Sequence, residues 1–102
     1  MARFDYAVQA NLAANIQMQQ RVRQAMLTHA AYMANRPLGE NEDLGKRSRS
    51  FAVECLRSPD YIGQSMTMAV MSQVEEADPI TDNQILSAIT NLWDAFAGSS
   101  DI

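Results

Sequence analysis

Three proline-containing breaks constrain this sequence most, because proline lacks a backbone donor and interrupts both helices and central strands. They are Arg36-Pro37-Leu38-Gly39, Arg57-Ser58-Pro59-Asp60 and Ala77-Asp78-Pro79-Ile80-Thr81-Asp82. Each break follows a stretch in which apolar residues recur at steps of three and four, and no window alternates with the period of two that a strand shows. The sequence therefore predicts an all-α protein, a small bundle of about four helices with a long first helix.

The length of the chain sets the number of domains. With 102 residues there is room for one domain and not for two. We expect residues 1–10 to form an N-terminal arm or a short extra turn, residues 11–98 the single helical domain, and residues 99–102 a C-terminal tail. A composition of 47% hydrophobic and 20% charged residues is close to that of soluble globular proteins, so the domain can bury a core.

Cysteine usage, hydropathy and net charge exclude several classes of protein. The single cysteine, Cys55, can form no internal disulfide and belongs to no set of thiolate metal ligands. No apolar run reaches the roughly 20 residues of a membrane-spanning helix, and the first residues lack the pattern of a signal peptide, so we expect neither membrane insertion nor secretion. A net charge of −4 argues against nucleic acid as the main partner, because that affinity comes largely from neutralising phosphates.

The second and fourth predicted helices have ordinary amphipathic patterns. The second runs from about Glu42 to Leu56 and places Cys55 on its apolar stripe, where a thiol acts as a small buried hydrophobe. The fourth is capped by Thr81 or Asp82 and ended by Gly98. Its apolar residues fall on one face, which predicts a core contribution from Ile85, Ile89, Leu92, Trp93 and Phe96.

The third predicted helix is unusual because it has no charge between Tyr61 and Val74. Ser58 is expected to cap it, with Pro59 in the first turn. Its apolar groups fall on two sides, which is typical of a helix that is either central in its bundle or covered by a neighbour. Methionine suits both adaptable contact surfaces and irregular cores, so the surface formed by Met66, Met68 and Met71 has a core interpretation and an interface interpretation, and both stay open.

The first predicted helix, from about Asn11 to Asn35, spans roughly 37 Å, which is longer than a compact domain of this size is wide. Its second half has a normal core stripe of Val22, Met26, Ala30 and Met33. No charge occurs between Asp5 and Arg21, and the stripe becomes mixed there.

We infer that this first half projects from the bundle and docks on another subunit, since a solvated helix of this size usually gains solubility from charges. The alternative is an exposed glutamine-rich helix that contacts nothing. With the methionine surface as a second contact, the predicted protein interface contains Phe4, Tyr6, Leu12, Asn15, Ile16, Gln19, Arg23, Met66, Met68 and Met71.

Residues typical of catalytic or metal sites are isolated from one another. The only histidine, His29, has no second histidine or carboxylate three or four residues away, so it is expected to be a surface or boundary residue. The acidic stretch from Glu75 to Asp82 lacks the pattern of a calcium loop, and the four glycines form no phosphate-binding loop. We therefore expect no enzyme activity, no cofactor, no metal and no small-molecule substrate.

A competing function is DNA binding through the basic cluster Lys46, Arg47 and Arg49, which precedes a turn and another helix. Glu42 and Asp43 lie four residues before Lys46 and Arg47, so part of this charge can be compensated within the helix. A DNA-binding regulator would bind duplex DNA in a salt-dependent way and lose that binding with Arg47 and Arg49.

Four segments of the sequence resemble those of a known group of proteins. They are Ser58-Pro59-Asp60-Tyr61, Ala69-Val70-Met71, Ile80-Thr81-Asp82 and Leu92-Trp93-Asp94-Ala95-Phe96-Ala97-Gly98. Over roughly residues 20–98 the chain resembles small all-helical proteins encoded among the virion structural genes of tailed bacteriophages. The resemblance implies a non-enzymatic head-tail connector, adaptor or capsid-associated protein. It would be present in many copies on a ring or shell, in contact with other virion proteins and with copies of itself. Its expected location is the virion, and the host cytoplasm before assembly.

Overall fold

The computed structural model describes the backbone of residues 2–38 and 43–99, and the side chains of these residues from Leu12 onward except Leu44. This part of the chain contains four α-helices and no strand, which confirms the predicted all-α bundle. The helices are α1 (Ala2–Asn35), α2 (Asp43–Arg57), α3 (Gln64–Val74) and α4 (Asp82–Ser99). None of these helices combines the length and the apolarity that a membrane crossing needs.

The core forms where one stripe from each helix meets the others. Trp93 on α4 and Phe51 on α2 are fully buried, and their ring centroids lie 4.8 Å apart in an edge-on contact. The predicted stripes are confirmed on α1, where Val22, Met26, Ala30 and Met33 are buried, and on α4, where Ile85, Ile89, Trp93 and Phe96 are buried and Leu92 is half-buried. Cys55 is also fully buried, as its position on the α2 stripe predicts.

Helix α1 is longer than predicted, because it begins at Ala2 and not near Asn11. Residues 2–10, predicted to be an arm or a short extra turn, are helical and continuous with the rest of α1. The physical reason is composition: alanine, glutamine, methionine and leucine have high helix propensity, and neither glycine nor proline occurs before Pro37. Its 34 residues correspond to about 51 Å of helix, which explains why the molecule measures 61 × 25 × 19 Å.

The third helix does not begin at Ser58 as predicted. Pro59–Tyr61 form a separate 3₁₀ turn, and Ser58 makes no side-chain capping bond there. The chain then adopts an extended conformation at Ile62, and α3 begins after Gly63. Ile62 is buried in the core.

A reciprocal pair of hydrogen bonds fixes the start of α4. The Gln84 backbone N–H donates to Thr81 Oγ1 at 3.2 Å, and the Thr81 backbone N–H donates to Gln84 Oε1 at 2.8 Å. This is a capping box, and it identifies Thr81 as the cap from the two predicted candidates. The predicted stop at Gly98 is wrong, since α4 continues to Ser99 and Gly98 does not adopt a positive φ.

Candidate protein-interaction surface

The exposed part of α1 lies N-terminal to the core stripe. Residues 12–17 are all exposed, and Leu12 and Ile16 expose 59% and 54% of their surface. These two apolar residues lie one turn apart on the same side of the helix. Nothing in the described part of the chain covers them, so α1 presents apolar area to its surroundings at the place where the sequence predicts a projecting helix.

A polar pair accompanies this apolar area. Gln19 Nε2 donates a hydrogen bond of 2.6 Å to Oδ1 of Asn15, which lies one turn before Gln19 on α1. Amide side chains both donate and accept hydrogen bonds, so this pair keeps unused capacity for a partner of either kind. Asn15 and Gln19 therefore give the exposed face hydrogen-bonding groups without giving it a charge.

A groove of about 360 Å³ lies between α1 and α3. Met18 of α1 and Met68 and Met71 of α3 contribute its sulfur-containing side chains, and Ile80 from the connection to α4 adds a further apolar group. The one charged residue among those lining the groove is Glu75. Methionine side chains adapt their shape easily, so the groove can accept apolar groups of varied outline.

An ion pair fixes one edge of the groove. Arg21 Nη2 lies 2.7 Å from Asp82 Oδ1 and also donates a hydrogen bond to the Ile80 carbonyl oxygen at 2.8 Å. These contacts connect α1 to the start of α4 and hold Ile80 in place. Arg21 is thereby engaged within the molecule, so its charge does not disturb the uncharged face that precedes it along α1.

The structure brings only part of the predicted interface together. Asn15, Met68 and Met71 line one groove, whereas Leu12 and Ile16 are exposed and do not line it. Residues two apart on a helix point to opposite sides, so Ile16 faces away from Met18 and from the groove. Met68 is 40% exposed, Met71 is half-buried, and Met66 is half-buried and packs against the core. The side chains of Phe4 and Tyr6 lie outside the described residues.

Arg23 lies apart from the methionine groove. It borders a second depression, of about 300 Å³, together with Leu27, Pro59, Asp60, Ile62, Gly63 and Gln64. Its Nε atom is buried and has no hydrogen-bond partner in the described part of the molecule. Its place in the α1 interface, seven residues after Ile16 on the same stripe, stays a prediction.

The groove is also lined by three residues that the sequence pattern did not indicate as contacts: Ala14, Met18 and Ile80. Met18 and Ala14 could have been found, because they continue the stripe of Val22 backward in steps of four. Ile80 could not, because only the folded chain places the α3–α4 connection against α1.

The three residues of the basic cluster differ in their exposure to solvent. Lys46 and Arg47 are exposed, whereas Arg49 is half-buried and donates a hydrogen bond from Nη2 to the Arg36 carbonyl oxygen. That bond gives Arg49 a structural role at the end of α1. Helix α3, which a helix-turn-helix protein would insert into DNA, contains no basic residue.

Burial shifts the pKa values of Cys55 and His29 in the direction that favours their neutral forms. Burial raises the pKa of the Cys55 thiol to about 11, with the Glu54 carboxylate acting in the same direction, so the thiolate that nucleophilic chemistry requires is scarce. Burial lowers the pKa of His29, whose ring meets Trp93 edge-on at a centroid distance of 4.8 Å. Within residues 2–38 and 43–99, no three histidine, cysteine or carboxylate side chains cluster as metal ligands would.

No family model matches this chain, and comparison with curated proteins and with solved structures finds no similar protein.

Proposed function

We propose that this chain is a non-enzymatic structural protein that acts by packing against other protein subunits. The observation that carries the proposal is the exposed apolar pair Leu12 and Ile16 on the uncharged part of α1, and the methionine groove on another side of the helix adds to it. Exposed apolar side chains that are adjacent to each other, as these two are one turn apart, mark protein-interaction sites.

Within this class, we propose a multi-copy component of a bacteriophage virion, such as a head-tail connector, an adaptor or a capsid-associated protein. The support for this narrower function is the resemblance carried by the α3 and α4 segments. A ring or shell repeats one contact many times, and a projecting helix is suited to reach the neighbouring subunit. The chain would occupy the host cytoplasm before assembly and the virion afterwards.

DNA binding through Lys46 and Arg47 is the second candidate. It is less well supported, because Arg49 is engaged with Arg36 and α3 offers no positive charge to phosphates. The subunit-packing proposal also agrees better with the net charge of −4.

Co-sedimentation tests the proposal. In a lysate of host cells that assemble the virus particles, the chain should migrate with these particles in a density gradient. It should do so in a fixed ratio to the main shell protein. The double variant Ile16→Glu/Gln19→Glu should stay in the soluble fractions, because two carboxylates on the α1 face would have to be desolvated at the contact. Its helical circular dichroism should be unchanged, since neither side chain belongs to the core.

Two results would contradict the proposal. One is a wild-type chain that never migrates with particles. The other is a double variant that still does, which would remove this surface from any role in assembly. Leu86→Glu is the matched control, because Leu86 is also an exposed apolar residue, at 45%, and lies on α4, away from the tested face of α1.

A further inference from the structure

Positive charge is confined to the first 57 residues of the sequence. All lysine and arginine residues and the only histidine lie there, whereas residues 58–102 contain carboxylates and no basic residue. The carboxylates of this second part are Asp60, Glu75, Glu76, Asp78, Asp82, Asp94 and Asp101. The second part forms α3, the connection that follows it and α4. A partner that contacts α3 therefore meets negative charge without compensating positive charge from the same segment.

Carboxylates gather at one end of the groove between α1 and α3. Glu75 lines the groove, and Glu76 and Asp78 follow it in the connection that leads to Ile80, which lines the groove as well. These three acidic residues are exposed, and none of them forms an ion pair within the part of the chain that the structure describes. Arg21, the cation at the edge of the groove, is already bonded within the molecule. The acidic end of the groove is thus open to positive charge from outside.

The floor of the same groove is apolar. Met18, Met71 and Ile80 are half-buried and pack against the core, and Met68 is 40% exposed. A side chain that enters between the methionines removes apolar surface from water, and the flexible thioethers adapt to its outline. The groove therefore combines a site for an apolar side chain with an acidic end.

We propose that this groove binds a segment of another protein in which an apolar anchor residue lies next to lysine or arginine. The anchor enters between the methionines, and the basic residues lie against Glu75, Glu76 and Asp78. An amphipathic helix with a basic flank has this combination, and such helices bind in methionine-rich grooves. An acidic segment would meet like charges at the same place. This inference rests on the proposed function and specifies the chemistry of the partner.

Three synthetic peptides test this chemistry with the full chain. The first is a fluorescein-labelled helical peptide of about 15 residues, with leucine at steps of three and four and lysine beside the leucines. The second has glutamate in place of each lysine, and the third has alanine in place of each leucine. The first peptide should bind at least about tenfold more tightly than either of the others, because it alone supplies both the anchor and the positive charge. Fluorescence anisotropy measures the three affinities.

Paired variants locate the bound peptide. Ala14→Lys places a long cationic side chain at the rim of the groove and should weaken binding of the first peptide by about tenfold or more. Ala13→Lys makes the same change at an exposed neighbour that does not line the groove, and should weaken binding by less than about twofold. Both alanines are exposed on α1, so circular dichroism of each variant should match the wild type.

A second pair of variants tests the acidic end. Glu75→Gln should weaken binding of the first peptide by about threefold more than Asp94→Asn, because Glu75 lines the groove and Asp94 is exposed on α4. The two variants have the same net charge, so a difference between them reports the position of the carboxylate. Equal affinities would show that the peptide senses only the overall charge, which overturns the proposed role of Glu75.

Other results would also overturn the proposal. A first peptide that binds no better than the glutamate peptide removes the basic partner, and equal effects of Ala14→Lys and Ala13→Lys remove the groove. Failure of all three peptides to bind overturns the proposal as a whole, while co-sedimentation with particles would still support packing against other subunits. A chain that dimerises in sedimentation equilibrium and becomes monomeric with Ala14→Lys would assign the groove to a second copy instead.

Discussion

Trp93 shows how one polar atom constrains a small core. Its side chain is almost completely buried, and its Nε1–H donates to Ser48 Oγ at 2.6 Å across 45 residues of chain. An indole N–H buried without an acceptor costs free energy, so Ser48 on α2 has to accompany Trp93 into the core. Ser48 is only 3% exposed, because it lies three residues before Phe51 and four before Ala52, on the buried stripe of α2.

Replacing Ser48 therefore has a defined expected cost. Ser48→Ala should lower the free energy of unfolding by about 1–3 kcal/mol relative to Ser50→Ala, because it leaves the Trp93 N–H buried and unpaired. Ser50 lies exposed on the same helix, so the control carries the same gain in helix propensity. Urea unfolding followed by tryptophan fluorescence measures both. Equal stabilities of the two variants would show that the Trp93 N–H does not depend on Ser48.

At the scale of the elements, the capping box gives α4 its start. Thr81→Ala removes the acceptor for the Gln84 backbone N–H and should destabilise the protein by about 1 kcal/mol. Thr90→Ala is the matched control, since Thr90 is exposed within α4 and its hydroxyl donates only to the Leu86 carbonyl oxygen. The control should leave stability unchanged or slightly raised, because alanine is the better helix former. Thermal unfolding followed by circular dichroism measures the melting temperatures of both variants. Equal melting temperatures would contradict the role of the cap.

The elements also show what could be predicted from sequence and what could not. The buried stripes of α1 and α4 follow from local periodicity, which depends only on residues three and four apart. The division of the third helix does not, because a helical Ser58–Pro59–Asp60 start satisfies every local rule. The structure instead has a separate 3₁₀ turn at Pro59–Tyr61 and a helix that begins at Gln64, with Ile62 between them buried in the core. In the same way, the sequence indicated Asn15, Met68 and Met71 as contacts, but not that they line one groove.

For the whole molecule, we propose that folding and association use different parts of α1. Every buried residue of the described core lies at Val22 or later, whereas the exposed Leu12 and Ile16 lie before Met18. The Arg21–Asp82 ion pair falls between the two parts. One continuous helix thus combines a segment that the bundle needs with a segment that the bundle does not use.

Deleting residues 1–11 separates the two parts. At a concentration where both proteins are monomeric, the deletion should change the free energy of unfolding by no more than about 0.5 kcal/mol, since it removes no buried side chain of the described core. Attachment to particles should be weakened with it, because Phe4 and Tyr6 belong to the predicted interface. Deleting residues 1–21 should destabilise the bundle as well, because Met18 packs against the core and Arg21 bonds to Ile80 and Asp82. Urea unfolding of the three chains measures this contrast, and a shorter deletion as destabilising as the longer one would mean that the whole of α1 belongs to the folded bundle.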